Sequence, residues 1–151
     1  MTLETRIEEI SKDQLPAMVK IWNQHRDVLT DDERRHDLAS LTRWHETCHE
    51  INNKMFGISA HGELKGFMIL HYEEDAVWLK MTAILRGEMG KGYGSALFTF
   101  GLEEAGDRNI YTEVKIKNFE TLNILLSKQF RIVKFRKDHE EYVLKYAPEK
   151  S

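Results

Sequence analysis

At 151 residues, the chain has the length of one compact domain with a real hydrophobic core. Its net charge of −3 gives no general attraction to a polyanion, so nucleic acid is not an expected partner and a cationic or small one fits better. Cys48 is the sole cysteine, which excludes an internal disulfide and suits a reducing compartment.

The chain opens on acidic residues, Glu4, Glu8 and Glu9, without the basic start and apolar core of a secretory signal. No later apolar run approaches the roughly 20 residues that span a bilayer. A cytoplasmic protein without membrane contact is expected. Arg6 to Ile10 alternates weakly and reads as a first strand. Asp13 reads as a helix cap, and Leu15, Met18, Val19 and Trp22 recur after it at helical spacing. Val28 to His36 is charged and irregular, with Thr30-Asp31-Asp32 as a turn or cap. A second helix over about 37–51 carries Leu38, Leu41, Trp44, Cys48 and Ile51 on one stripe.

The period then changes. Met55 to Ala60 reads as a strand, with His61-Gly62 as its turn. Lys65 to Glu73 and Val77 to Ile84 are the next strands, with the acidic trio Glu73, Glu74 and Asp75 between them. A glycine-rich loop follows, then a helix over Tyr93 to Ala105 that Gly106 stops. Ile110 to Ile116 alternates cleanly, with Ile110, Thr112, Val114 and Ile116 on one face and Tyr111, Glu113 and Lys115 on the other. Phe119 to Lys128 reads as a short helix, and Arg131 to Arg136 with Tyr142 to Tyr146 as a hairpin around Lys137-Asp138. The order is strand, two helices, three strands, helix, strand, helix, two strands. Consecutive strands with short turns imply antiparallel pairing, and strand–helix–strand implies one parallel crossover. The fold class is a single α+β domain over 1–151, a mixed, mostly antiparallel sheet flanked by about four helices.

The loop from Arg86 to Leu97 carries the most information. Gly90, Gly92 and Gly94 alternate between an apolar strand and an apolar helix. Glycines permit positive φ and close backbone approach, and the open N–H groups of a helix start favour an anion such as a pyrophosphate. The alternative is a glycine-rich turn with no ligand. A P-loop would need Ser or Thr after Lys91, where Gly92 stands, and the dinucleotide fingerprint needs a different glycine spacing.

Met89-Gly90-Lys91-Gly92-Tyr93-Gly94, opening a helix after the fourth strand, resembles the Arg/Gln-x-x-Gly-x-Gly/Ala signature of the GNAT superfamily of acyl-CoA-dependent N-acyltransferases. Both glycines match, and Met89 replaces the leading Arg or Gln. Asn118 through Phe130 has the length of the family's Asn, short helix, Gly-Phe segment, with Gln129 in place of Gly. The resemblance implies acetyl-CoA as cosubstrate, with no metal, and transfer of an acyl group, acetyl first among them, to the primary amine of a small molecule or a protein. It implies donor contacts from Thr82 and Ile84 on the preceding strand, from Met89, Gly90, Lys91, Gly92, Gly94 and Ser95, and from Asn118. A second copy of the chain in a homodimer is a further partner to consider.

Attack on a thioester needs a neutral amine, and an ordinary lysine amine has a pKa of about 10.4, so a base is called for. Glu113, on the polar face of its strand, is the catalytic residue expected. One branch of the family uses a glutamate there as base through water. The plain alternative is a solvated glutamate beside Lys115. The family's tyrosine acid falls at Leu125, which has no proton to give; Tyr72, Tyr111 and Tyr142 are the substitutes in view. A thiolate, with a pKa near about 8.5 by analogy with cysteine, leaves without full protonation. Asn118 also suits a helix N-cap. The Met89 and Leu125 departures leave a non-catalytic acyl-CoA-binding module as the second hypothesis.

His45-Glu46-Thr47-Cys48-His49 matches the His-Glu-x-x-His zinc signature, in which histidines four apart on a helix share a face. No third ligand follows at the spacing of known zinc hydrolases, so a polar helix face near the acceptor is the preferred reading and zinc hydrolysis a distant one. Asp31, Asp32 and Glu33, with Glu73, Glu74 and Asp75, form two acidic clusters suited to an amine or to plain solvation.

Overall fold

Seven strands share one sheet in the computed structural model, which describes residues 5–30 and 35–148. They are β1 (Thr5–Glu9), β2 (Asn53–Ala60), β3 (Glu63–Tyr72), β4 (Ala76–Ile84), β5 (Asn109–Lys115), β6 (Phe130–Arg136) and β7 (Glu141–Tyr146). The spatial order is β1-β2-β3-β4-β5-β7-β6, and every pair is antiparallel except β4 with β5. This is the mixed α+β sheet that the element order implies. The described residues form five α-helices: α1 (Leu15–Gln24), α2 (Arg26–Leu29), α3 (Leu38–Thr47), α4 (Tyr93–Ala105) and α5 (Phe119–Ser127). The extra one, α2, is a single turn inside a stretch that reads as irregular.

Each face of the sheet buries its own apolar cluster. Helix α4 lays Leu97 and Phe98 on Met68, Leu70 and Leu79, and Val114 and Leu144 join from the later strands. Helix α4 approaches closely at Gly101, where an added Cβ would stand 3.0 Å from Leu79 Cδ2 and 3.2 Å from Met68 Sδ. On the opposite face α1 and α3 bury Leu15, Met18, Ile21, Trp22 and Leu41 against Phe67 and Ile69. Asp37 starts α3 by accepting the Ser40 N–H at 2.8 Å.

Helix α3 is shorter than its apolar stripe suggests. It stops at Thr47, and Cys48–Ile51 continues as a tighter 3₁₀ turn that ends at Asn52 with φ 58°. The change of pitch takes the last residues off the stripe. Leu41 and Cys48 are buried, while Leu38 and Ile51 are about half exposed, at 48% and 54%. Asp31, Asp32 and Glu33 lie outside the described residues.

The final hairpin forms as expected, but β7 inserts between β5 and β6. Val143 and Leu144 are both buried, one on each face, whereas Arg131 through Phe135 are exposed. The strand that is apolar on both faces takes the interior and the charged one takes the edge.

The parallel pair is short. β4 and β5 are in register only from Ala76 with Asn109 to Leu79 with Thr112. The Thr112 hydroxyl donates to the Leu79 carbonyl at 2.7 Å as the last tie. Beyond it, β4 continues to Ile84 and β5 to Lys115 without pairing, so the sheet opens into a cleft.

Candidate active site

The cleft has a backbone wall. Leu85 N–H bonds back to the Lys65 carbonyl on β3 at 2.7 Å. Strand alternation then turns the N–H and C=O groups of Thr82 and Ile84 away from β3 and into the opening. The Ile84 carbonyl meets His25 Nε2 at 2.6 Å. Just after α1, His25 thus braces the end of β4, and Gln24 does the same for the loop by accepting the Arg86 N–H at 2.8 Å.

The glycine loop closes the end of the cleft. Gly92 is the N-cap of α4, with φ 91° and no side chain to cap the helix. An added Cβ at Gly92 would meet nothing within 4 Å, so backbone conformation and not crowding demands glycine there. The first N–H to bond back along α4 is that of Ala96, to Gly92 O at 3.0 Å. The N–H groups of the preceding turn are left for an anion, with the helix dipole behind them.

A groove of about 350 Å³ runs along this wall, lined by Thr82, Ile84, Met89, Gly90, Gly92, Gly94, Ser95 and Asn118 among others. That volume suits a small-molecule or cofactor site. Of the expected donor contacts, Lys91 alone is not among its lining residues. It bonds Glu88 at 2.6 Å with its side chain largely exposed. Asn118 caps α5 by accepting the Thr121 N–H at 3.4 Å and also faces the groove, so its two roles coexist.

A second cavity of about 90 Å³ adjoins the groove, sharing Val28, Thr82, Phe98, Asn118 and Thr121 with it. Glu113 lines it, together with Lys80, Lys115 and Glu141. Glu113 is no solvated strand glutamate. One carboxylate oxygen accepts from Lys80 at 2.7 Å and the other from Arg136 at 2.9 Å. Arg136 also reaches Glu141 at 3.2 Å, and Lys115 lies 3.9 Å from Glu141. Burial pushes the Glu113 carboxyl up, but the bonds from Lys80 and its charge, with Glu141 and Arg136, hold it below the ordinary carboxylate value. Burial and the neighbouring Glu113 raise Glu141 above its own.

Sequence reasoning missed His25, Lys80, Arg136 and Glu141. Lys80 and Glu113 meet because the parallel register that pairs Leu79 with Thr112 sets them side by side one step farther on, and Arg136 and Glu141 arrive only because β7 inserts beside β5. The one local signal was the position of Lys80 on a polar face like that of Glu113.

The remaining expectations fare differently. Leu125 is fully buried in the core. Neither cavity is lined by Tyr72, Tyr111 or Tyr142. Tyr72 donates to Glu104 at 3.2 Å, and burial with that carboxylate lifts its hydroxyl to about 12. Tyr111 stacks on Trp78, with ring centroids 5.0 Å apart. Glu73, Glu74 and Asp75 sit before β4, at the opposite end of that strand from the glycine loop, and Glu73 accepts from Trp78 Nε1 at 3.0 Å. His45 and His49 do not share a helical face, because α3 ends between them; His45 Nε2 instead meets the Ile10 carbonyl at 2.8 Å. Among the described residues, no three His, Cys, Asp or Glu side chains are grouped to hold a metal ion.

A cleft beside a parted parallel pair, ending at a glycine-capped helix, is the architecture of an acyl-CoA-dependent acetyltransferase. The chain belongs to the acetyltransferase (GNAT) family, whose model matches residues 8–125. No curated protein sequence matches the chain. Among solved structures it is similar to yncA of Salmonella typhimurium with its cofactor acetyl-CoA, at TM-score 0.74 and 17% identity over 93% of this chain and 90% of that one. It is similar to the ribosomal-protein-S18-alanine N-acetyltransferase of Escherichia coli, at TM-score 0.72 and 16% identity over 97% and 96%. It is similar to the spermidine N-acetyltransferase SpeG of Vibrio cholerae, at TM-score 0.78 and 14% identity over 95% and 93%. Acetyl-CoA is the cosubstrate of the family, and the groove fits it: open helix-start N–H groups for a pyrophosphate and a free strand edge for an extended arm. No helix among the described residues is long and apolar enough to cross a membrane.

Proposed function

We propose that the protein transfers an acetyl group from acetyl-CoA to a primary amine by direct attack, with Glu113 as proton acceptor. The observation that carries this is the contact of the two cavities: the Glu113 carboxylate opens onto the same space that Thr82 and Asn118 share with the groove. The amine nitrogen forms a bond to the acetyl carbon, the carbon–sulfur bond breaks, and coenzyme A leaves as the thiolate. The amine proton passes to Glu113, directly or through a water. Backbone N–H groups of Thr82 and Ile84, fixed by β3, serve the oxygen that gains charge. Lys80 and Arg136 keep Glu113 ionised and aimed, so it is ready to accept but only weakly basic. No tyrosine lines the cavity that holds Glu113, and the one in the donor groove, Tyr93, stands at the glycine-loop end, so the sulfur departs unprotonated; that is tolerable for a thiolate with a pKa of about 8.5.

The neighbours of this fold act on unlike amines by their names, a ribosomal-protein alanine in one and spermidine in another, so the fold alone selects no acceptor. The test is Glu113→Gln assayed beside acetyl-CoA affinity. The expected result is a fall in kcat/KM of about 10²–10⁴ with donor affinity unchanged. An unchanged kcat/KM would remove Glu113 from the chemistry. Donor binding without turnover on any amine, in the unaltered protein, would favour the non-catalytic binding module.

A further inference from the structure

The charged sheet face beside Glu113 narrows the acceptor class, given the acyl-transfer reading above. Residues pointing away from the α4–α5 core on β5, β7 and β6 form a regular grid. Tyr111 stands beside Lys145 and then Arg131; Glu113 beside Val143 and then Lys134; Lys115 beside Glu141 and then Arg136. Trp78 on β4 adjoins Tyr111, and Lys80 adjoins Glu113. With Lys80, the grid holds six cationic side chains against two carboxylates, on a chain whose net charge is −3.

The two carboxylates are committed to Lys80, Arg136 and Lys115. Arg131, Lys134 and Lys145 have no ion-pair partner among the described residues. Arg131 and Lys145 are directly opposed, and like charges in that position weaken a sheet. A surface that accepts this cost while the rest of the chain is acidic is complementary to an anionic partner. Lys134 lies two strands from Glu113, about 10 Å at the usual strand spacing, and Arg131 lies a row farther. An extended peptide advances about 3.4 Å per residue. An amine at Glu113 therefore places the side chains of about the second to fourth residues over Lys145, Lys134 and Arg131. The weak basicity of Glu113 also favours an α-amine, with a pKa of about 7.7–8.0, over a lysine amine at about 10.4.

We propose that the acceptor is the α-amino terminus of an acidic polypeptide segment, laid across the basic side chains that rise from this face of β5, β7 and β6. The test measures transfer from acetyl-CoA to short synthetic peptides with a free amino terminus, carrying acidic, neutral or basic residues at those positions. The protein is compared with Arg131→Glu/Lys134→Glu, whose two sites are exposed and outside the reaction cavity, after equal melting temperatures and equal acetyl-CoA affinity have been verified. The expected result is a preference of at least about tenfold in kcat/KM for acidic over basic peptides, falling with salt and lost or reversed in the double variant. Equal rates on the peptide series, a preference that survives the double variant, or acetylation confined to small amines or phosphate-bearing amines would overturn the proposal and leave acyl transfer standing. Failure of acetyl-CoA to bind, or of every amine including small ones to react, would instead remove the acyl-transfer reading beneath it.

Discussion

Glu113 shows how far a residue's neighbours decide its chemistry. Its own strand supplies only an alternating pattern, from which a polar face can be read but no partner. Lys80, Arg136 and Glu141 reach it from three other strands, and none of those meetings follows from local spacing. The consequence for pH has a definite sign. A carboxyl held below its unfolded value of about 4.3 adds stability above that pH and loses it as pH falls through the lower folded value. Glu141, raised by burial and by Glu113, contributes in the opposite sense: it weakens the fold as pH rises above the ordinary carboxylate range. Held below the ordinary carboxylate value, the proposed proton acceptor Glu113 is ionised near neutrality, so its titration sets no limb there. The kcat/KM profile for an α-amine acceptor should rise with a limb near about 8, the pKa of the amine itself, and move upward for a lysine amine. A limb at the same pH for both amines would mean that an enzyme group sets it.

At the scale of elements, Gln129 tests the reading of the segment after Asn118. The resemblance places a glycine there, and the backbone agrees, since Gln129 has φ 72° at the end of α5. The left-handed conformation costs a non-glycine residue about 1–2 kcal/mol, partly offset by the greater unfolded freedom of glycine. Gln129→Gly should therefore stabilise the protein by about 0.5–1 kcal/mol in urea unfolding, with acetyl transfer unaltered. Destabilisation would show that the glutamine side chain makes a contribution that outweighs its backbone. The glycine loop was legible for a related reason: positive φ at Gly90 and Gly92 is a demand that only the sequence's glycines meet cheaply. The His-Glu-x-x-His match could be weighed but not settled from the sequence, because its meaning depends on an unbroken helix, and α3 ends at Thr47. The acidic trio before β4 stayed open between the two readings because its distance from the cleft depends on which end of the strand faces the loop.

For the molecule as a whole, strand count and the single parallel crossover follow from periodicity and short turns. The insertion of β7 between β5 and β6 does not, because a hairpin reads the same from either side. That choice rests on which strand can be buried on both faces, and it brings Glu141 to the cavity and lays the basic face beside it. Charge segregation between that face and the rest of the chain is likewise invisible in a net charge of −3.

Calorimetric titration with acetyl-CoA tests the donor groove most directly, on the protein and on Gly92→Ala and Gly92→Glu. Both variants impose the same backbone penalty at φ 91°, and the glutamate alone puts a negative charge and a long side chain at the open helix start. Binding in the micromolar range is expected for the protein, with a modest loss in Gly92→Ala and abolition in Gly92→Glu. Absence of binding to the protein, or equal affinity in Gly92→Glu, would contradict the placement of the donor along β4 and the glycine loop.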